Sequence, residues 1–383
     1  MAAEKNNKTL NVPNLRFPEF SGEWERCTIG DITRNYSLRN KDKIQYPMFS
    51  VTNSRGFVPQ SEQFEDREMI GEDIKAYKII HEGDFAYNPA RINVGSIAKY
   101  DKSEPCMISS LYVCFKALPQ INNEWLMQLL KTPKMNFYYN VNGEGGVRVY
   151  LFYPNFARIR TSYPSLAEQQ KIASFLSLLD QRIETQRKII EDLKKLKDAI
   201  SLILFTSETC DKWELSNLAT IVMGQSPSSQ YYNTDNEGLP LIQGNLDITK
   251  GKLTPRIYSS EMTKKCHTGD VILTVRAPVG EVAIADFDAC IGRGVCAIRP
   301  FNSTYSVLIY QFLQHYKPKW ISLEQGSTFT SVSRNDIMSI KIGIPSIQAI
   351  EILNILDDKI SIEDVILNNL NSQKNYLLTQ LFI

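Results

Sequence analysis

The chain has 383 residues, too many for one ordinary hydrophobic core, and its 43% hydrophobic and 22% charged residues are those of a folded chain, not a disordered one. A net charge of +1 excludes a protein that grips nucleic acid by bulk charge alone, and the seven cysteines, odd in number and without a CxxC pair, exclude a disulfide or zinc framework. They read as reduced cytosolic thiols; no apolar run reaches the length of a membrane span, and residues 1–10 are polar, without the apolar core of a signal peptide.

In chain order, residues 1–165 read as a globular domain of short strands and a few helices. It opens on Glu23-Trp24-Glu25, reaches a Gly83-Asp84-Phe85 turn that feeds an apolar strand, and continues through Arg91-Ile92-Asn93-Val94-Gly95-Ser96-Ile97-Ala98. An apolar segment from Cys106 to Phe115 and a helical run from Trp125 to Leu130 follow. A Gly-rich polar loop, Gly143 to Arg148, leads on to Pro164-Ser165-Leu166.

Residues 166–205 predict one long helix. Ile172, Phe175, Leu179, Ile189, Leu193, Leu196, Ile200 and Ile203 follow the three-and-four spacing of a heptad seam, interrupted at Arg182 and Gln186. Leu176, Ile183, Ile190 and Leu204 make a second row beside it, so the apolar face is wider than a lone surface helix needs. At about 1.5 Å per residue such a helix reaches on the order of 50 to 60 Å and needs a partner along most of its length.

Residues 206–345 repeat the first domain, and 346–383 repeat the helix. Lys212-Trp213-Glu214, Gly269-Asp270-Val271, Arg276-Ala277-Pro278-Val279-Gly280-Glu281-Val282-Ala283, Cys290 to Ile298, Val307 to Leu313 and Gly326 to Arg334 recur in the order of the first half, before Pro345-Ser346-Ile347. A constant offset of 177 then places Asp180 on Asp357, Ile183 on Ile360, Ile189 on Ile366, Leu193 on Leu370, Lys197 on Lys374 and Leu204 on Leu381 without a gap, with Leu377 opposite Ile200. Phe175, Leu179, Ile183, Ile189, Leu193 and Ile200 on one helix, with Ile360, Ile366, Leu370 and Leu377 on the other, are the expected pairing residues. Each proline is expected in the first turn of its helix, where its missing N–H costs nothing. Pro164 lies sixteen residues before Asp180 but Pro345 only twelve before Asp357, so the second helix starts one turn short. The order domain, helix, domain, helix predicts a mixed α/β (α+β) fold: two similar domains separated by a long antiparallel two-helix coiled coil, with a pseudo-two-fold repeat.

Catalytic signatures are missing from the sequence. It has no GxxxxGK[ST] loop and no HExxH; its three histidines are scattered, and Cys266-His267 has no second pair at ligand spacing. Asn88-Pro89-Ala90-Arg91 lacks the second proline and the aromatic of the amino-methyltransferase signature and reads as a turn. What remains is loop chemistry suited to base edges. Arg91 and Arg276 stand at equivalent places beside Gly95 and Gly280; Arg is shaped for bidentate contact with guanine, Asn or Gln with adenine. Nearby candidates are Asn53, Ser54, Arg55 and Asn93 in the first half and Gln243, Gly244 and Asn245 in the second. Arg148, Thr328, Thr330, Ser331, Ser333 and Arg334 in the later loops suit phosphates. Singly, each is more readily a solvated loop residue or a local cap than a base contact, and only the recurrence in both halves raises them above that.

Leu15-Arg16-Phe17-Pro18-Glu19-Phe20 ahead of Trp24, the twice-written Gly-Asp turn, and Pro164-Ser165-Leu166-Ala167-Glu168-Gln169-Gln170 opening a long helix together resemble the specificity subunit of type I restriction-modification systems, over nearly the whole chain and in order. The resemblance implies that residues 1–165 and 206–345 are target recognition domains, each reading one half of a split, asymmetric double-stranded DNA site. It implies that the helices space them and dock two methyltransferase subunits, through which restriction (nuclease-translocase) subunits join. It further implies a cytoplasmic, non-catalytic chain with no cofactor of its own, S-adenosylmethionine, ATP and magnesium belonging to the partner subunits. The second copy, Pro345-Ser346-Ile347-Gln348-Ala349-Ile350, departs by lacking the Glu-Gln-Gln. Two rival readings are a stand-alone DNA-modifying enzyme, which turnover by the isolated chain would favour, and a protein-binding coiled-coil scaffold, which failure to retain any duplex would favour.

Overall fold

The computed structural model describes residues 10–63, 74–145, 149–207, 211–324 and 331–383, with the side chains of 321–324 left aside. The chain divides into two compact units, Met1–Gln186 with Ile366–Ile383, and Arg187–Val365. Among the described residues no helix is long and apolar enough to cross a membrane.

Each unit is built on a four-stranded antiparallel sheet of the same order. In the first it runs Thr33–Tyr36, Val113–Ala117, Phe85–Tyr87, Ile97–Lys99; in the second, Ala219–Met223, Val295–Pro300, Val271–Thr274, Val282–Ile284. Successive side chains of a strand point to opposite faces, and here both faces are covered. Phe85, Tyr87, Ile97 and Phe115 enter a core with Trp125, Leu130 and Phe156, while Ala86, Ala98 and Cys114 face a second core with Phe49, Val51 and Ile80. In the other unit Val271, Leu273, Val282 and Ile298 join Ile309 and Phe312, while Ile272, Ala283 and Ala297 face Ile242, Leu253 and Ile291. Mostly small side chains on the second face let an outer layer of strands lie close. That layer is two strand pairs in the first unit, Phe49–Thr52 with Gly56–Pro59 and Lys78–Ile80 with Cys106–Ile108, but a five-stranded sheet in the second.

The repeated Gly-Asp turn has a physical cause. Gly83 and Gly269 adopt φ of +82° and +91°, which favours glycine. The following aspartates are both 3% exposed. Asp84 accepts hydrogen bonds from the His81 amide (3.2 Å) and the Tyr36 hydroxyl (2.7 Å), with Lys116 Nζ at 3.3 Å. Asp270 accepts from the His267 amide (2.8 Å) and takes Arg299 through Nε and Nη2. Burial first, then the Asp84 carboxylate, push the Tyr36 hydroxyl well above its ordinary range, so it stays a donor. Two of the three histidines are thus explained as turn residues.

The two tryptophans matched in sequence are not equivalent. Trp24 precedes the strand Glu25–Thr28 and is 2% exposed, whereas Trp213 lies inside Lys212–Glu214, opposite Ile342, and is 43% exposed. Their likeness is one of composition, because alternate strand positions face opposite ways.

The long helix runs Leu166–Thr206 and the C-terminal one Ile347–Gln380. Ser165 and Ser346 accept from the Glu168 and Ala349 amides (3.4 and 3.3 Å), so the serines cap the helices. Pro164 and Pro345 therefore stand one residue outside their caps, not in the first turn. The heptad seam is also shifted. The covered positions are Ile172, Leu176, Leu179, Ile183, Gln186, Ile190, Leu193, Lys197, Ile200 and Leu204. Phe175 and Ile189, expected to pair, are each 39% exposed, and Leu196 and Ile203 reach 49% and 68%. The expected and observed seams share every other residue; Arg182 in the row of Phe175 and Ile189 marks that row as the wet one. On the C-terminal helix Leu370 is 6% exposed, and Ile360, Ile366 and Leu377 are half-buried.

In the first unit, Leu378, Leu381 and Phe382 share the core with Ile172, Ala173 and Leu176, and Lys374 pairs with Asp180, so the two segments run antiparallel. In the second, Ile350 and Leu353 share the core with Phe205, and Lys197 pairs with Asp357 at 2.6 Å, again antiparallel. These ion pairs are the same pair under the offset of the repeat. Each aspartate also accepts from a glutamine of its own unit's sheet-packing helix: Gln128 Nε2 to Asp180 at 2.9 Å, Gln311 Nε2 to Asp357 at 2.7 Å. A carboxylate shared between a lysine of the other long helix and a buried glutamine fixes the height at which each sheet docks on its helices.

Candidate nucleic-acid interface

Arg91 and Arg276 are exposed on the turns that join Phe85–Tyr87 to Ile97–Lys99 and Val271–Thr274 to Val282–Ile284, and both turns are pinned. In the first unit the Asn88 side chain accepts from the Ala90 amide (3.0 Å), the Arg91 carbonyl accepts from the Ser96 amide (3.0 Å), and Ser96 Oγ donates to the Val51 carbonyl (2.7 Å). In the second, Thr274 Oγ1 donates to the Pro278 carbonyl and accepts from the Glu281 amide, both at 2.9 Å. Gly95 and Gly280 close the turns at φ of +98° and +97°. A Cβ on Gly280 would come within 2.8 Å of the Trp320 ring, so this position tolerates no side chain. Backbone rigidity under an exposed guanidinium is the condition for using an Arg as a reader, since less freedom is lost on binding.

Around Arg91 the structure assembles a cleft of about 880 Å³ lined by Asn88, Asn93, Val94, Leu111, Val149, Tyr150 and Phe152. Large exposed apolar side chains stand among its polar ones: Leu111 is 77% exposed, Val94 57%, and the Tyr150 and Phe152 rings lie nearly parallel, 13° apart with centroids at 6.3 Å. Around Arg276 the lining is polar instead: Ser226, Gln243, Gly244, Asn245, Arg293 and Gly294. The two clefts are topologically matched. Leu151 N donates to the Pro89 carbonyl in one and Val332 N to the Val275 carbonyl in the other, both at 3.0 Å. Leu111 and Arg293 come from the corresponding loops, which lead into Val113–Ala117 and Val295–Pro300.

The other sequence candidates divide. Asn53 lies against Gly95, where a Cβ would meet its own Cβ at 3.4 Å, so the 52–56 turn adjoins the Arg91 turn. Ser54 is exposed at that tip. Arg55 faces Glu62 across 3.4 Å, both more than half exposed, an ion pair too wet to hold it from a ligand. Asn93 lines the cleft, but its Nδ2 donates to Asn140 Oδ1 at 3.0 Å. Gln243 and Asn245 share the Arg276 cleft, and Gln243 is oriented from two sides, its amide bonding Asp247 (2.8 Å) and its Nε2 the Tyr232 hydroxyl (3.1 Å). Ser331 forms an antiparallel bridge to Arg276 and steadies it. Ser333 caps the helix Arg334–Met338 in a reciprocal box with Asp336, its hydroxyl donating at 2.6 Å, so it is a cap and not a free phosphate donor. Arg334 is exposed at that helix's first position. Arg148, Thr328 and Thr330 lie outside the described residues. Sequence reasoning missed Leu111, Tyr150, Phe152, Ser226 and Arg293; the one signal for them was an Arg set between glycines at Gly292-Arg293-Gly294.

The Glu-Gln run that opens the long helix points inward. Glu168, 2% exposed, takes Arg16 through two hydrogen bonds (2.8 and 2.7 Å) and accepts from Trp24 Nε1 (3.2 Å). Gln169, fully buried, accepts from the Asn122 amide (2.8 Å) and donates to the Pro164 and Gln120 carbonyls. These residues tie the N-terminal segment and the sheet-packing helix to the long helix of the first unit.

The family model described as type I restriction modification DNA specificity domain matches the chain twice, over residues 21–195 and 208–372. A protein of Methanocaldococcus jannaschii named as the MjaX specificity subunit of a type I restriction enzyme is 29% identical over 374 residues, covering 89% of this chain and 87% of that one. Two solved structures share the fold. The S subunit of a type I restriction-modification system from M. genitalium is 16% identical with a TM-score of 0.63, over 97% of this chain and 99% of its own. A chain solved in work on complex assembly and conformational transition of the type I R-M system is 20% identical with a TM-score of 0.61, over 93% and 96%.

Proposed function

Because the chain belongs to the type I restriction-modification DNA specificity family, with the specificity domain present in both halves, we propose that it is the non-catalytic subunit that reads double-stranded DNA for such a complex, each unit taking one half of a bipartite, asymmetric site. The observation that carries this reading is the pair of matched clefts. One framework presents an exposed arginine on a pinned turn in both units, at Arg91 and Arg276, while the surrounding residues differ in chemistry. Conserved geometry under divergent lining is what two readers of unlike sequences need. In this reading residues 1–165 and 206–345 are the target recognition domains, and 166–205 and 346–383 are the helices that set the gap between half-sites.

The same helices offer a docking surface for two methyltransferase subunits. Ile189, Leu196 and Ile203 recur at heptad spacing on the outward face, and Ile352, Ile355, Ile362 and Val365 on the C-terminal helix are each about half or more exposed (49–66%). Apolar side chains in such rows call for a cover. The restriction subunits join through the methyltransferases, which with them carry S-adenosylmethionine, ATP and magnesium, and the assembly works in the cytoplasm.

Sequencing methylated sites in cells with and without this chain tests the reading. A bipartite motif that disappears with the chain is expected; a motif that persists without it contradicts the proposal. Adding four residues between Pro345 and Asp357, the length by which the second helix is short, should widen the unread gap by about two base pairs at about 1.5 Å per residue and 3.4 Å per base step. An unchanged gap would show that the helices do not set the spacing.

A further inference from the structure

The cleft of the second unit holds two arginines, from two separate segments, and neither has a carboxylate partner among the described residues. Arg276 stands on the turn after Val271–Thr274, and Arg293 in the loop between Ala289–Ile291 and Val295–Pro300. By contrast, Arg256 and Arg299 of the same unit are held by Asp247 and Asp270. The backbones beneath these two guanidinium groups are fixed. Arg276 is bridged to Ser331, and the Arg293 amide donates to Ser226 Oγ at 3.1 Å.

The loop that carries Arg293 packs closely on its neighbours. A Cβ on Gly294 would fall 2.0 Å from the Gln243 carbonyl, and one on Gly224 2.1 Å from the Gly292 carbonyl. Glycine at these positions lets two backbones touch, and Arg293 lines the same cleft as Gln243 and Asn245. Two cationic forks with fixed roots, beside two amides, suit a flat ligand edge with paired acceptors and a neighbouring donor. The major-groove edge of a G·C pair has this pattern: guanine offers O6 and N7, and cytosine its amino group. At the matched loop position the first unit carries Leu111, and Arg91 there faces aromatic and aliphatic side chains, so the arrangement is particular to the second unit.

We propose that Arg276 and Arg293 together read guanine in the half-site taken by the second unit. This rests on the DNA-reading function proposed above. Arg276 and Arg293 are then specificity residues, and Gln243 and Asn245 line the same base edge.

The test uses the assembled complex and its methylated motif. The half-site that changes when residues 206–345 are exchanged for those of a relative is expected to require at least one guanine. Arg293→Ala should relax that position, lowering discrimination about 10- to 100-fold while the other half-site stays strict, which also reports that the chain is folded. Arg293→Lys should relax it less than Arg293→Ala, because lysine loses the fork but can still donate to O6 or N7. In the unaltered complex, a duplex with 7-deazaguanine at that position should bind at least about tenfold more weakly, and the same replacement elsewhere should not. A half-site without guanine, or a uniform loss at all sites with a salt dependence reduced by about one ion, would overturn the inference; the latter would make Arg293 a phosphate contact. If exchanging residues 206–345 leaves the motif unchanged, the broader DNA-reading assignment fails as well, a result distinct from any of these.

Discussion

The two units share a sheet order, a Gly-Asp turn, a capping serine and a Gln-Asp-Lys clamp, yet the clefts at their matched turns have little in common beyond one arginine. The first cleft is walled by Leu111, Val94, Tyr150 and Phe152; the second by Arg293, Gln243, Asn245 and Ser226. Residues that hold strands and helices in place are fixed by packing and buried hydrogen bonds, so duplication preserves them. Cleft residues rest on the same frame but carry none of it, and they are free to diverge. The units also differ in how they are anchored. The first buries Glu168 and Gln169 under Arg16, Trp24 and the Asn122 amide, where the C-terminal helix carries Ala349 and Ile350 at the matching positions.

The largest expected effect lies in the shared frame. Asp270→Ala strips Arg299 of a two-pronged partner and orphans the His267 amide; it should destabilise the second unit by about 3 kcal/mol, at the low end for a broken buried pair because Arg299 is 39% exposed. Asp84→Ala should cost less, about 2 kcal/mol, since Lys116 is 53% exposed and reaches it singly. Hydrogen exchange of the strand amides, read unit by unit, checks both; equal losses would break the comparison. Glu168→Ala should cost about 2 kcal/mol by removing the two-pronged partner of Arg16, which keeps only the Gly22 and Ser21 carbonyls, and by leaving Trp24 Nε1 unsatisfied. Its exchange signature belongs in the first unit alone, and a response spread equally over both would show that this anchor is not local.

Smaller effects sharpen the symmetry of the helices. Asp180→Ala and Asp357→Ala should each cost about 1 kcal/mol, since Lys374 and Lys197 remain partly hydrated and each glutamine loses one bond. Markedly unequal thermal shifts would mean that the repeat of the clamp is geometric without being energetic. Tyr150→Ser should move stability by no more than about 0.5 kcal/mol, the ring being 40% exposed, while altering the requirements of one half-site only. A strong destabilisation would place Tyr150 in the frame, not the cleft.

The sequence carried the frame better than the surface. The duplicated register was legible because Asp180, Lys197 and their counterparts recur without a gap, and the turns because a positive φ favours glycine before each buried aspartate. The seam was misread because the outward row, Phe175, Ile189, Leu196 and Ile203, is as apolar as the inward one, and heptad spacing fits either when five positions are shared. Arg182 and Ile183 alone told the rows apart. Arg91 and Arg276 were found because they recur before Gly95 and Gly280. Arg293 was not, because its counterpart is Leu111; a site that differs between two copies leaves no repeat to detect.

Replacing residues 1–165 with the corresponding stretch of a relative, and sequencing the methylated motif made by the intact complex, tests the central claim most directly. One half of the motif should change while the other half and the gap between them stay as they were. Simultaneous change in both halves, or in neither, would contradict independent reading by the two units.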